Sequence, residues 1–136
     1  METNSQGGKK KLALFDFDGT LTRKDTMFEF LIFLEGRGSL YWSLLVLSPI
    51  LILTKLGKYD AEKAKKRLLS RHLKGMTEAV LRQKATRFCA NVLPSLFRDE
   101  ALEKLAFHRS KGHDVWIVTA SLDLWVEPWL KFQNLP

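Results

Sequence analysis

Lys11 to Asp16 reads KLALFD and runs directly into Phe17-Asp18-Gly19-Thr20-Leu21-Thr22 (FDGTLT), and this junction decides the fold. A short apolar run that stops at acid and glycine is the pattern of a parallel strand buried on both faces. Two carboxylates two residues apart at a strand end project the same way. Side by side they repel, which favours a divalent cation and lets one carboxylate hold a proton that the other lacks. Gly19 lets the backbone come close to a ligand, and the N–H groups of the turn can meet phosphoryl oxygens. The same D-x-D-G string also opens calcium loops and Asx turns, but the third acid and closing glutamate of a calcium loop are absent.

Working outward, Asp114 to Val118 (DVWIV) repeats the strand pattern after Gly112, a residue suited to the left-handed position just past a helix. Between the two strands the spacing predicts helices over Thr26–Glu35, Leu40–Leu56, Asp60–Leu73, Thr77–Val92 and Asp99–Ser110. Leu81, Ala85, Phe88 and Val92 form one inward stripe, and Leu102, Leu105 and Ala106 another. Phe28, Phe30 and Phe33 fall on one helix with Leu31 and Leu34 and read as core. A last helix, Leu122–Asn134, is predicted to carry Pro128 in its first turn, where a missing N–H costs nothing. About a hundred residues of helix between two strands exceed a single βαβ crossover, so a helical insertion separates them.

The 136 residues, 46% apolar and 27% charged, suit one globular domain that needs no disulfide. The lone Cys89 cannot pair within the chain and is expected to be a small buried residue. The opening METNSQGGKKK lacks the apolar core of a signal peptide, so a cytoplasmic location is expected. Net charge is +7, and Lys55 to Lys111 alone carries fifteen basic and six acidic residues. Such a block attracts phosphate in some form, unless it is simply a solvated helix face.

Gly38 to Thr54 (GSLYWSLLVLSPILILT) holds seventeen uncharged residues between Arg37 and Lys55, the lower limit for crossing a bilayer, and Pro49 interrupts it. Directly after it, Lys63, Arg67, Arg71 and Lys74 line one helical face while Ala61, Ala64, Leu68 and Leu69 lie toward another. An apolar anchor beside a basic face is what a membrane-surface element requires. A helical hairpin buried within the insertion or in a partner reads equally well. His72, His108 and His113 have no metal-ligand spacing, and the first two are expected on helix surfaces. The aromatic residues read as core rather than as a stacking surface, so nucleic acid is not an expected partner.

The string from Asp16 to Thr22, at the end of its strand, resembles motif one of the haloacid dehalogenase superfamily of phosphohydrolases. Val118-Thr119-Ala120-Ser121 resembles motif two, a hydroxyl residue at a strand tip. The resemblance runs from about Lys11 to Leu130 and implies an α/β fold, a Rossmann-like parallel sheet with a helical cap inserted between strands one and two. Residues 1–25 then hold the first strand and motif one, 26–98 the cap with its apolar segment 38–54, and 99–136 the core helix, second strand, motif two and final helix. A cap at this point marks the subfamily that contains phosphoserine phosphatases and bacterial phosphatidylglycerophosphate phosphatases. By resemblance Asp16 is the nucleophile and Asp18 the acid/base, both bind Mg2+, and Gly19, Thr20, Thr119 and Ala120 hold the substrate phosphate. Asp25 stands where phosphoserine phosphatases face the substrate amine, and it is equally placed to cap the helix that follows. Serine specificity also needs a cation for the substrate carboxylate, for which Arg67 and Arg71 are two among many basic residues. The apolar segment resembles the phosphatidylglycerophosphate phosphatases better, pointing to a lipid phosphate and a peripheral place on the inner face of the cell membrane.

The sequence departs from the family downstream. The lysine of motif three and the aspartates of motif four are not found after Thr119, where Asp123, Glu127 and Lys131 are the only ionisable residues. Two strands also leave the sheet incomplete. The expectation is therefore a fragment, truncated product or degenerate copy with weak or no activity as given, and a non-catalytic membrane-surface or interaction module is the competing reading.

Overall fold

The structure, a computed structural model, describes residues 11–135. The reading of the N-terminal residues as free of a signal peptide lies outside that range. Strand β1 (Leu12–Asp16) leads through a turn into helices α1 (Thr26–Glu35), α2 (Arg37–Lys55), α3 (Ala61–Leu73) and α4 (Glu78–Asn91). A short 3₁₀ turn over Leu93–Leu96 precedes α5 (Asp99–Ser110), β2 (Asp114–Val118) and α6 (Asp123–Phe132). β1 and β2 pair in parallel, Leu12 opposite Asp114 and Asp16 opposite Val118. The α/β architecture and the long helical insertion are as the sequence implied.

Local chemistry explains the boundaries. Asp25 accepts hydrogen bonds from Met27 N and Phe28 N, and Asp60 does the same for Glu62 N and Lys63 N. Thr77 takes Val80 N. Each such cap stabilises its helix by about 1 kcal/mol. Gly112, at φ +67°, makes the left-handed step between α5 and β2 that its position predicted.

One apolar cluster joins the insertion to the rest. Phe30 of α1 lies with its ring centroid 4.7 Å from Trp125 of α6 and 5.3 Å from Phe88 of α4. Phe17 and Phe97 meet Trp129 at 5.2 Å and 4.9 Å. Phe30, Phe88 and Trp125 are completely buried, and each pair adds roughly 0.5–1.5 kcal/mol beyond its area.

Several expectations are corrected. The run read as a buried strand is covered on one face only, as expected of an incomplete two-stranded sheet: Ala13 and Val115 are buried, while Leu12, Leu14, Trp116 and Val118 on the other face are 56–61% exposed. α2 starts at Arg37, not Leu40. Pro128 is the sixth residue of α6 rather than part of its first turn, so the Leu124 carbonyl loses its usual helical donor. Ala106 is exposed, leaving Leu105 as the buried residue of α5. His72, expected on a surface, is buried, with Nδ1 2.7 Å from Glu35 Oε2. Cys89 is buried as expected, and burial pushes its thiol pKa up.

Candidate active site

The parallel register brings motif one and motif two to the same edge of the sheet. Asp16 closes β1 opposite Val118, so Thr119 leaves β2 beside it, at the carboxyl edge where open α/β sheets bind ligands. The turn after β1 is a single wide loop in which Thr22 N donates to Phe17 O at 3.0 Å and Gly19 sits at φ +79°. A side chain there would be strained. Buried Thr22 pins the turn from inside: its hydroxyl donates to Lys24 O at 2.7 Å and accepts from Gly19 N at 3.3 Å. Backbone bonds from Arg23 N to Leu96 O and from Arg98 N to Leu21 O tie it to the segment before α5.

The two carboxylates are held differently. Asp16 is exposed and accepts one side-chain bond, from the Thr20 hydroxyl to Oδ2 at 3.1 Å. Asp18 is half-buried, and its Oδ1 accepts both the N–H and the hydroxyl of Thr26, at 2.8 Å and 2.7 Å. Thr26 Oγ1 also lies 3.0 Å from Ser121 Oγ and accepts the indole N–H of Trp125 at 2.9 Å. Thr119 Oγ1 accepts Ser121 N at 2.9 Å, an ST turn that leaves its own proton for a ligand.

Of the residues picked from sequence, Asp16, Asp18, Gly19, Thr20, Thr119 and Ala120 gather at these two strand ends. Asp25 is next to them, but its Oδ1 is committed to capping α1. Arg67 lies over the Tyr59 ring and Arg71 Nε donates to Ser43 Oγ, so both have structural partners. The cation that reaches the site from the insertion is Lys65, whose Nζ donates to the Ala120 carbonyl at 2.7 Å. Beside it α1, α2 and α3 enclose a cavity of about 280 Å³ lined mainly by apolar side chains, among them Met27, Phe28, Leu44 and Leu51, with Asp25 and Lys65 as its charged members.

Sequence reasoning missed Lys65, Thr26, Ser121 and Trp125. In the sequence Lys65 is one of many basic neighbours, and Thr26 carries only the signal of a helix start. Ser121 follows motif two directly, so its adjacency was a usable signal.

The sequence profile of haloacid dehalogenase-like hydrolases matches residues 13–135. The chain belongs to that family. Protein CicA of Caulobacter vibrioides is 38% identical over 131 residues, which is 95% of this chain and 57% of that relative. The chain thus spans a little over half the length of the curated relatives it matches. Among solved structures, a protein of unknown function from Bordetella pertussis Tohama I superposes with a TM-score of 0.73 at 22% identity, over 93% of this chain and 58% of the other. The phospho-aspartyl intermediate analogue of phosphoserine phosphatase gives 0.62 at 23%, over 93% and 54%. These likenesses show the fold, in keeping with the family match.

For a magnesium ion, the chemistry of the donors fits in part. Mg2+ commonly takes one or two carboxylates and completes its shell with water and substrate phosphate. Among the described residues Asp16 Oδ1 accepts no hydrogen bond, whereas Asp18 Oδ1 is occupied by Thr26. No group of three or more His, Cys, Asp or Glu side chains lies together among the described residues.

Proposed function

We propose that the protein is a magnesium-dependent phosphomonoester hydrolase that works through an aspartyl phosphate on Asp16. What carries the reading is the meeting of Asp16, Asp18 and Thr119 at the carboxyl edge of one parallel pair. The Asp16 carboxylate attacks phosphorus and the P–O bond to the leaving oxygen breaks as that oxygen takes a proton from Asp18. Water then attacks the same phosphorus, giving its proton back to Asp18 and releasing Asp16. Thr119 donates to a phosphoryl oxygen, and Gly19, Thr20 and Ala120 shape the cradle around it. Asp16 and the backbone carbonyl of Asp18 would hold Mg2+, which neutralises phosphoryl charge when bound. The test is phosphatase turnover of the full-length protein with and without magnesium. Retention of most turnover by Asp16→Asn would overturn the reading.

The substrate is a small phosphorylated molecule or a lipid phosphate such as phosphatidylglycerophosphate, and two features favour the lipid. The cavity beside Lys65 has mostly apolar walls. α2 is long and apolar enough to cross a membrane by length and composition, yet its inner face packs on α1 and α3 while Tyr41, Trp42, Leu45, Ile52 and Leu56 project outward, 59–64% exposed. A stripe at positions 41, 45, 52 and 56 beside the basic residues of α3 suits a helix lying on an anionic lipid surface, on the inner face of the cell membrane. Flotation with anionic and neutral vesicles tests this. Equal binding to both, or to neither, would sink it.

A non-catalytic membrane-surface or interaction module remains the second reading. It is favoured by one observation: Lys131, the single lysine after Thr119, is paired with Glu127 at 2.7 Å and supplies no cation to the strand ends. For the same reason the 136 residues alone are expected to turn over poorly, because phosphoryl transfer needs positive charge beyond one carboxylate pair.

A further inference from the structure

We infer that Thr26, fixed by Ser121 and Trp125, is a positioning residue that makes Oδ2 of Asp18 the oxygen that carries the proton. The inference rests on the acid/base role proposed for Asp18. Its basis is the donor inventory of four groups. An indole N–H can only donate, and an ionised carboxylate can only accept. Thr26 Oγ1 therefore accepts from Trp125 Nε1 at 2.9 Å and gives its one proton to Asp18 Oδ1 at 2.7 Å. Its second lone pair is left for the Ser121 hydroxyl at 3.0 Å, which must be the donor there. The hydroxyl is saturated, wholly buried and without freedom to turn.

With the backbone N–H of Thr26 added at 2.8 Å, Oδ1 receives two donors and has little capacity to hold a proton itself. A proton on Asp18 goes to Oδ2, which receives no hydrogen bond among the described residues. Both donors come from the first residue of α1, so the carboxylate cannot rotate to exchange its oxygens without breaking them. Ser121 and Trp125 follow motif two, so the arrangement also ties the acid of motif one to the segment that bears Thr119. Each proton transfer, to the leaving oxygen and from the attacking water, then occurs at one atom in a fixed direction.

The test compares Thr26→Val, Thr26→Ser and Ser121→Ala in the full-length protein, with Asp18→Asn as reference, on p-nitrophenyl phosphate and on an alkyl phosphate. p-Nitrophenolate leaves without a proton, whereas an alkoxide needs one. Thr26→Val is expected to lower kcat on the alkyl ester about 10²-fold with KM little changed. On the aryl ester it should give a burst of about one equivalent of p-nitrophenolate and then a slow steady state, since only the hydrolysis of the aspartyl phosphate still needs Asp18. Thr26→Ser should restore both rates to within a few-fold, and Ser121→Ala should shift them in the direction of Thr26→Val by less. Equal losses on both esters without a burst would overturn the inference in favour of a merely structural Thr26. So would wild-type kinetics in Thr26→Val when Asp18→Asn is impaired. If Asp16→Asn and Asp18→Asn both retain turnover, the phosphatase reading itself fails and the inference with it.

Discussion

Around the strand ends, buried Thr26 bonds Asp18, Ser121 and Trp125 with a single hydroxyl, while along the outward face of α2 a row of Tyr, Trp, Leu and Ile side chains is largely exposed. Both belong to the same span, since α1 and α2 are separated only by Gly36. The first arrangement fixes a few atoms in one geometry. The second leaves apolar area without a partner, well beyond what singly scattered surface residues account for. The first suits the proposed aiming of a carboxylate, and the second the proposed contact with a lipid surface. The uncovered sheet face, with Leu14 and Trp116 at its centre, differs from both, for it belongs to a sheet of only two strands among the described residues.

The largest expected effect breaks the first region. Asp16→Asn keeps the shape of the side chain and its bond from Thr20, but removes the attacking charge and the metal ligand proposed for Asp16. Turnover of the full-length protein should fall by about 10³-fold or more, read as steady-state phosphate release. Thr119→Ala should be milder, because it removes one hydrogen bond to a charged oxygen, about 1.5–3 kcal/mol.

The next pair sharpens the contrast in stability. Phe30→Ala removes a ring packed against Phe88 and Trp125 and should cost roughly 3–5 kcal/mol. Trp42→Ser, on the outer face of α2, should change the unfolding free energy from urea titration by no more than about 0.5 kcal/mol while weakening binding to anionic vesicles. A destabilisation by Trp42→Ser comparable to that of Phe30→Ala would mean that α2 is covered in solution.

Much of this was legible in the sequence because it is local. The strand before Asp16, the cap at Asp25 and the stripe Ala85–Phe88 follow from periodicity and side-chain chemistry within a few residues. The bonds of Thr26 to Ser121 and Trp125 span more than ninety positions, and nothing in the residues themselves marks them as partners. Lys65 was hidden for another reason: helical phase separates it from Arg67 and Arg71, but which lysine meets Ala120 depends on how α3 is set against β2. His72 is polar yet buried, which polarity alone does not predict. Its burial is made tolerable by Glu35, a residue 37 positions earlier.

That pair carries the smallest predicted effect. Glu35 Oε2 accepts the Ser39 hydroxyl at 2.6 Å and lies 2.7 Å from His72 Nδ1, joining the ends of α1 and α3 to the first turn of α2. The Ser39 hydrogen bond lowers the Glu35 pKa; partial burial opposes it, and the bond and charge of His72 lower it further. A carboxyl held below its unfolded pKa stabilises the fold above that value, and the contribution disappears as pH falls through the folded pKa. The wild-type chain should therefore lose more stability than Glu35→Gln between pH 7 and pH 3. The difference should stay under about 1 kcal/mol, because a third of the carboxylate faces solvent. Urea midpoints of the two proteins at both pH values decide it: equal losses would show that Glu35 contributes no charge-dependent stability and that His72 is held by packing alone.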